Sequence, residues 1–229
     1  MFLLSPNASL RIVADILDAA HAVGHRAWNS QPHGDGMTTP PQSSLSQDVL
    51  DLFGLLKDRA VPYVLVGGVA LLKYIDGRNT QDIDFLLSPK ALSQLPELVV
   101  SQRGHEVARA RFRGVRVDLL LTSDPVFKLV HDSHATTHTF QEVSVRCATV
   151  EGLLLLKLYA LPSLYRQRDT RRIALYETDI LMLMDRYQPP TNAILATLEP
   201  YVEESAIAEL RNIVYDIEQR ITRMRGSAT

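Results

Sequence analysis

Val64-Leu65-Val66-Gly67-Gly68, thirteen further residues, and then Asp82-Ile83-Asp84-Phe85 form the stretch on which the fold turns. The first run is short, apolar and rich in β-branched residues, so it reads as a strand that the diglycine ends. Residues 69–75 then read as a helix, stopped at Asp76-Gly77. Asp82–Leu87 reads as a second strand, entered through Arg78-Asn79-Thr80-Gln81. Side chains at i and i+2 of a strand share a face. Asp82 and Asp84 therefore project together, while Ile83 and Phe85 turn to the core. Two carboxylates so placed repel each other unless a cation lies between them. Hard oxygen donors at this spacing suit magnesium, which takes one or two carboxylates together with substrate phosphates.

A third carboxylate stands downstream. Arg116-Val117-Asp118-Leu119-Leu120 reads as a strand with one aspartate among apolar residues, costly to bury without a partner. If this strand pairs beside the Asp82 strand, three carboxylates converge. Two metal ions about 3.5–4 Å apart could then clamp the attacking and leaving oxygens of a displacement. Asp118 could also take the proton of an attacking hydroxyl. The glycines suit the same chemistry. Gly67 and Gly68 let backbone approach a ligand with no Cβ in the way, and the helix start behind them offers N–H groups to phosphate.

Working outward, residues 46–59 read as a helix with Val49, Leu52, Phe53 and Leu56 on one face. Residues 90–102 read as another helix. Strands are expected over 106–111 and 115–121, turned at Arg113-Gly114, and over 140–148. After Thr149, which can cap a helix running to Ala160, the pattern is helical: 171–187, a short helix from Thr191, and 203–225. The last carries Ile207, Leu210, Val214, Ile217, Ile221 and Met224 at alternating spacings of three and four, which reads as a bundle face within the chain. Residues 10–28 form an amphipathic helical pattern, and a Pro-, Gly-, Ser- and Gln-rich linker follows. Met37, inside that linker, is an alternative start. The expected architecture is α/β with a mixed sheet: an appendage over 1–45, a catalytic domain over 46–148 and an all-α domain over 149–229.

With 46% hydrophobic and 22% charged residues, 229 residues can bury an ordinary core. A net charge of −2 gives no bulk attraction to nucleic acid or membrane, leaving only local basic faces. Arg109, Arg111, Arg113 and Arg116 form one such stripe, and Arg166, Arg168, Arg171 and Arg172 another. The single cysteine, Cys147, excludes a disulfide within the chain and a cysteine zinc site; it reads as a small apolar strand residue. His131, His134 and His138 read as part of a solvated loop. Asp15 and Asp18 interrupt the apolar N-terminal pattern, against a signal peptide. No apolar run approaches the roughly 20 residues that span a bilayer. A cytoplasmic location is expected.

Hydrophobic-Gly-Gly, a spacer, and Asp-hydrophobic-Asp-hydrophobic together resemble the DNA polymerase beta-type nucleotidyltransferase superfamily. Within it, the chain is most similar to small bacterial and archaeal enzymes that include abortive-infection and mycobacterial toxins of toxin–antitoxin pairs. Arg78-Asn79-Thr80-Gln81-Asp82-Ile83-Asp84, Leu156-Lys157-Leu158 and Asp179-Ile180 carry that likeness, which covers roughly residues 49–187. Leu175 to Glu177 stand where such enzymes commonly show a Lys-Asp pair. The resemblance implies ATP or another nucleoside triphosphate as donor, held by Gly67, Gly68, Arg78, Thr80 and Lys157. It implies two magnesium ions, or manganese, on Asp82, Asp84 and Asp118. It also implies transfer of a nucleoside monophosphate to an acceptor hydroxyl, with an RNA (tRNA) 3′ end preferred and an antitoxin as a protein partner. A protein side-chain acceptor, a small-molecule acceptor and a non-catalytic nucleotide-binding module stay open as alternatives.

Overall fold

The computed structural model describes residues 45–76, 80, 82–140 and 143–226. The N-terminal helical pattern, most of its linker and Arg78 lie outside these residues. Within them the fold is mixed α/β followed by an all-helical C-terminal region, as the sequence leads one to expect. No helix among the described residues is long and apolar enough to cross a membrane.

Helix α1 spans Leu45–Asp58. Its Val49, Leu52, Phe53 and Leu56 recur at helical spacing and are all buried. The Phe53 ring meets Phe85 edge-on at 5.7 Å between centroids, and Tyr63 meets Phe85 at 5.1 Å. Burial of each such ring contributes about 2 kcal/mol, so this helix fixes which face of the sheet turns inward. At its outer end, buried Asp48 accepts from Arg113 Nη1 at 3.3 Å and from Gly114 N at 3.2 Å. Asp51 pairs with the same guanidinium.

The sheet contains β1 (Tyr63–Val66), β2 (Asp82–Leu87), β3 (Val99–Arg103), β4 (Val107–Phe112), β5 (Val115–Leu121), β6 (Ala135–Phe140) and β7 (Val143–Ala148). Their order is β3-β4-β5-β2-β1-β7-β6. β2 runs antiparallel to β1 and parallel to β5; β4 runs antiparallel to both β5 and β3; β1 is parallel to β7. The sequential strands β1 and β2 are joined through α2 (Gly67–Leu71). This helix is a single turn and a half, shorter than the 69–75 pattern; Lys73 to Ile75 continue it as turns that bond back to Ala70 and Leu71.

Three further expectations are corrected. The helix over 90–102 is confined to α3 (Pro89–Leu92), capped by Ser88 Oγ accepting from Ala91 N at 3.0 Å. Pro96 disfavours helical backbone at Leu95, and the β-branched Val99-Val100 begins β3 instead. The strand expected over 140–148 is β7, which starts only at Val143, and a further strand, β6, goes before it. The histidine-bearing loop is a helix and a strand: α4 (Pro125–Ser133) holds His131, and His138 lies on β6. Asp124 starts α4, its Oδ1 accepting from Val126 N at 2.8 Å and Phe127 N at 3.0 Å. Proline at N1 after such a cap is a strong helix start.

The chain divides into two compact units. The first holds the described residues up to Ser123 together with Thr137–Cys147. The second holds Asp124–Thr136 and the described residues from Ala148 onward. The second contains α4, α5 (Val150–Gln167, capped by Thr149), α6 (Thr170–Tyr187), α7 (Thr191–Leu198) and α8 (Glu204–Gly226). The α8 seam is buried from Ile207 to Ile221, as an intramolecular bundle face should be, with Met224 exposed beyond it.

Candidate active site

β2 alternates: Ile83 and Phe85 are buried, while Asp82 and Asp84 are half-buried on the other face. β5 alternates in the same way, with Arg116 and Asp118 on its half-exposed face. The parallel register aligns Asp84 with Asp118 and Asp82 with Arg116. Side chains directly opposite across a ladder share one face of the sheet, so all three carboxylates project from that face. The ladder continues outward: Arg109 of β4 lies opposite Asp118, and Arg111 opposite Arg116.

The charges on this face are matched. Arg116 Nε lies 2.8 Å from Asp82 Oδ1, and Arg109 Nε lies 3.9 Å from Asp118 Oδ1. The Arg116 approach is an ion pair without hydrogen-bond alignment, and among the described residues nothing donates a hydrogen bond to the buried Asp82 Oδ1. As placed, no three His, Cys, Asp or Glu side chains among the described residues could share a metal ion. Asp82 leans to one arginine and Asp118 to another.

The glycines serve these side chains sterically. Gly67 has φ +64°, and a Cβ there would lie 2.8 Å from Asp84 Cβ and closer still to its carboxyl. A Cβ on Gly68 would lie 2.6 Å from Thr80 Cβ. Thr80 Oγ1 donates to Asp82 O at 3.2 Å, tying the strand's entry to the same corner. The diglycine thus holds backbone directly against Asp84 and Thr80. The first unit therefore brings together Gly67, Gly68, Thr80, Asp82, Asp84 and Asp118. Arg78 lies outside the described residues.

Lys157 belongs to the helical unit. It is buried on α5, with Nζ 2.7 Å from Asp179 Oδ2 of α6 and 4.2 Å from the Tyr176 ring centroid. Asp179 is also buried, and Ile180 beside it is in the core. A phosphate contact by Lys157 would have to displace this partner. The sequence alone left Asp179 without a role, because its partner is set by helix packing. Arg109 and Arg116 were legible as a basic stripe, yet their carboxylate partners follow only from strand register. Arg113 leaves that stripe, since it holds Asp48 and Asp51 of α1.

No protein-family model and no curated protein matches this chain. Among solved structures, it is similar to an antigenic nucleotidyltransferase-like protein from Paracoccidioides brasiliensis. That match has 18% identity and a TM-score of 0.45, covering 74% of this chain and 95% of the other. It is also similar to the antibiotic-resistance factor ANT(2'')-Ia, with 12% identity and a TM-score of 0.47, covering 79% of this chain and 96% of the other. At this distance the likeness says nothing of activity.

Proposed function

We propose that this chain is a metal-dependent nucleotidyltransferase that moves a nucleoside monophosphate from a nucleoside triphosphate to an acceptor hydroxyl. The supporting observation is the ladder that sets Asp84 opposite Asp118, with Asp82 one step along the same face and Gly67 pressed on Asp84. Asp82, Asp84 and Asp118 would hold divalent cations, and Asp82 Oδ1, which accepts no hydrogen bond among the described residues, fits that use. Bound there, magnesium or manganese would neutralise charge on the triphosphate as the displacement proceeds. The acceptor oxygen attacks the α-phosphorus, the bond to the β-phosphate bridging oxygen breaks, and pyrophosphate leaves. Asp118 takes the acceptor proton. Gly67 and Gly68 hold the backbone against Asp84 and Thr80, which would bring backbone groups to the triphosphate, and Thr80 holds the strand entry in place. Most of the rate enhancement then comes from positioning and preorganised charge.

The acceptor we favour is an RNA 3′ end of the tRNA class, with the protein acting as the toxin of a toxin–antitoxin pair. Exposed basic residues support a polyanionic acceptor. Arg111 continues the carboxylate face outward, and Arg166, Arg168, Arg171 and Arg172 are all exposed around the turn between α5 and α6. Polyanions bind such patches by releasing counterions.

The test supplies each α-labelled triphosphate in turn, with magnesium and either total RNA or lysate protein. The wild-type chain should label RNA, and Asp82→Ala and Asp84→Ala should not. Equal labelling by both variants removes the enzymatic assignment. Label appearing on protein and not on RNA removes the RNA acceptor alone.

A further inference from the structure

Resting on the nucleotidyltransferase reading, we propose that Arg109 and Arg116 are exchangeable counterions. They hold the carboxylates when the site is empty of cations, and pass to the phosphates of the triphosphate when cations bind. Three observations carry this. Arg116 Nε stands 2.8 Å from Asp82 Oδ1, and Arg109 Nε 3.9 Å from Asp118 Oδ1. Both arginines lie on the carboxylate face by ladder register, Arg109 opposite Asp118 and Arg116 opposite Asp82. Both side chains keep substantial exposure, 53% and 39%, and Arg109 Nη1 also donates to Gln102 Oε1 at 3.2 Å.

The electrostatics follow from a count over Asp82, Asp84, Asp118, Arg109, Arg111 and Arg116. Three negative and three positive side chains make this face close to neutral, and a neutral face gives a triphosphate no field to enter. Each divalent ion accepted by the carboxylates adds two positive charges. It also competes with the guanidiniums for the same oxygens, because a carboxylate oxygen oriented to a cation has less to offer a neighbouring one. Released at the edge of the metal site, a guanidinium fork matches phosphate oxygens in geometry and charge. Metal and triphosphate binding are therefore coupled through these two side chains, and the coupling is reciprocal.

This makes a prediction of opposite sign for the two ligands. Free Mn2+, read by electron paramagnetic resonance on the full chain without nucleotide, should bind several-fold more tightly to Arg116→Gln and Arg109→Gln than to the wild type. An α,β-methylene triphosphate analogue at saturating Mn2+, read by calorimetry, should bind each variant about tenfold more weakly, the scale of one charge-assisted hydrogen bond. Arg103→Gln is the control: it lies opposite Ala108, on the other face of the sheet, and should leave both affinities unchanged. Arg116→Lys keeps the charge and should restore Mn2+ affinity to near the wild-type value while recovering only part of the analogue's. The proposal is overturned if Mn2+ affinity in both Gln variants is unchanged or lower, or if analogue affinity does not fall. A wild-type chain that binds Mn2+ and analogue normally while the variants behave so overturns the arginine exchange and spares the enzymatic reading. A wild-type chain that binds neither overturns both.

Discussion

Gly67 holds φ +64° against the Asp84 carboxylate, so both its backbone conformation and its missing side chain are required. Left-handed backbone at a residue with a Cβ costs on the order of 1–3 kcal/mol, and the new methyl must also push Asp84 off the row. Gly67→Ala should therefore lower stability by about 1–3 kcal/mol in urea unfolding and abolish labelled transfer even at temperatures where the variant is fully folded. Gly68→Ala strikes Thr80, two residues before the first carboxylate; its expected effect is a rise in KM for the triphosphate with kcat reduced less. Transfer kinetics on the folded variants separate the two. Cys147 makes a different residue-scale case. Burial in β7 pushes its thiol up to about 12, so at pH 8 it stays protonated and enclosed. A thiol reagent should label it only after denaturant is added, and labelling of the native chain at the rate of free cysteine would contradict this packing.

Lys157 and Asp179 join α5 to α6 through a buried ion pair with Nζ and Oδ2 2.7 Å apart. Removing one member leaves the other charged in the interior without its counter-ion, at a cost of about 3–5 kcal/mol. Lys157→Met and Asp179→Leu should each lose that much in urea denaturation. The double variant should lose clearly less than the sum, because no lone charge remains. Additive losses would show that the pair is not a unit. Elements were legible where one signal dominated. The α1 stripe of Val49, Leu52, Phe53 and Leu56 and the alternation in β2 each specify burial directly. The Asp124-Pro125 start of α4 was present in the sequence as a cap and an N1 proline, but its histidines and polar residues read as solvated loop. The stretch from Lys90 has acceptable helix formers, and Pro96 with Val99-Val100 overrode them. Strand register was not legible at all. Asp84 opposite Asp118 depends on how far apart in sequence two strands lie in a parallel pair, and no local pattern encodes that offset.

At the scale of the molecule, a net charge of −2 conceals a sheet face that carries three acidic and three basic side chains side by side. Stability of the whole also has a pH signature. Burial, then the charge of Lys73, holds His138 below its ordinary value, while its Nε2 lies 3.0 Å from the Tyr74 hydroxyl. The folded state favours neutral imidazole. Its contribution is present in full above the unfolded value of about 6.5 and is lost as pH falls from there through the lowered folded value. Urea midpoints measured downward from pH 7.5 should fall more for the wild type than for His138→Gln over that window; parallel curves would remove His138 from the account. In the proposed enzyme, three carboxylates from two strands meet around divalent ions. Crystals of the full chain with Mn2+ and an α,β-methylene triphosphate test it by anomalous diffraction. Anomalous peaks are expected within about 2.2 Å of carboxylate oxygens of Asp82, Asp84 and Asp118, with the triphosphate against Gly67. Triphosphate bound with its manganese away from these carboxylates would contradict it.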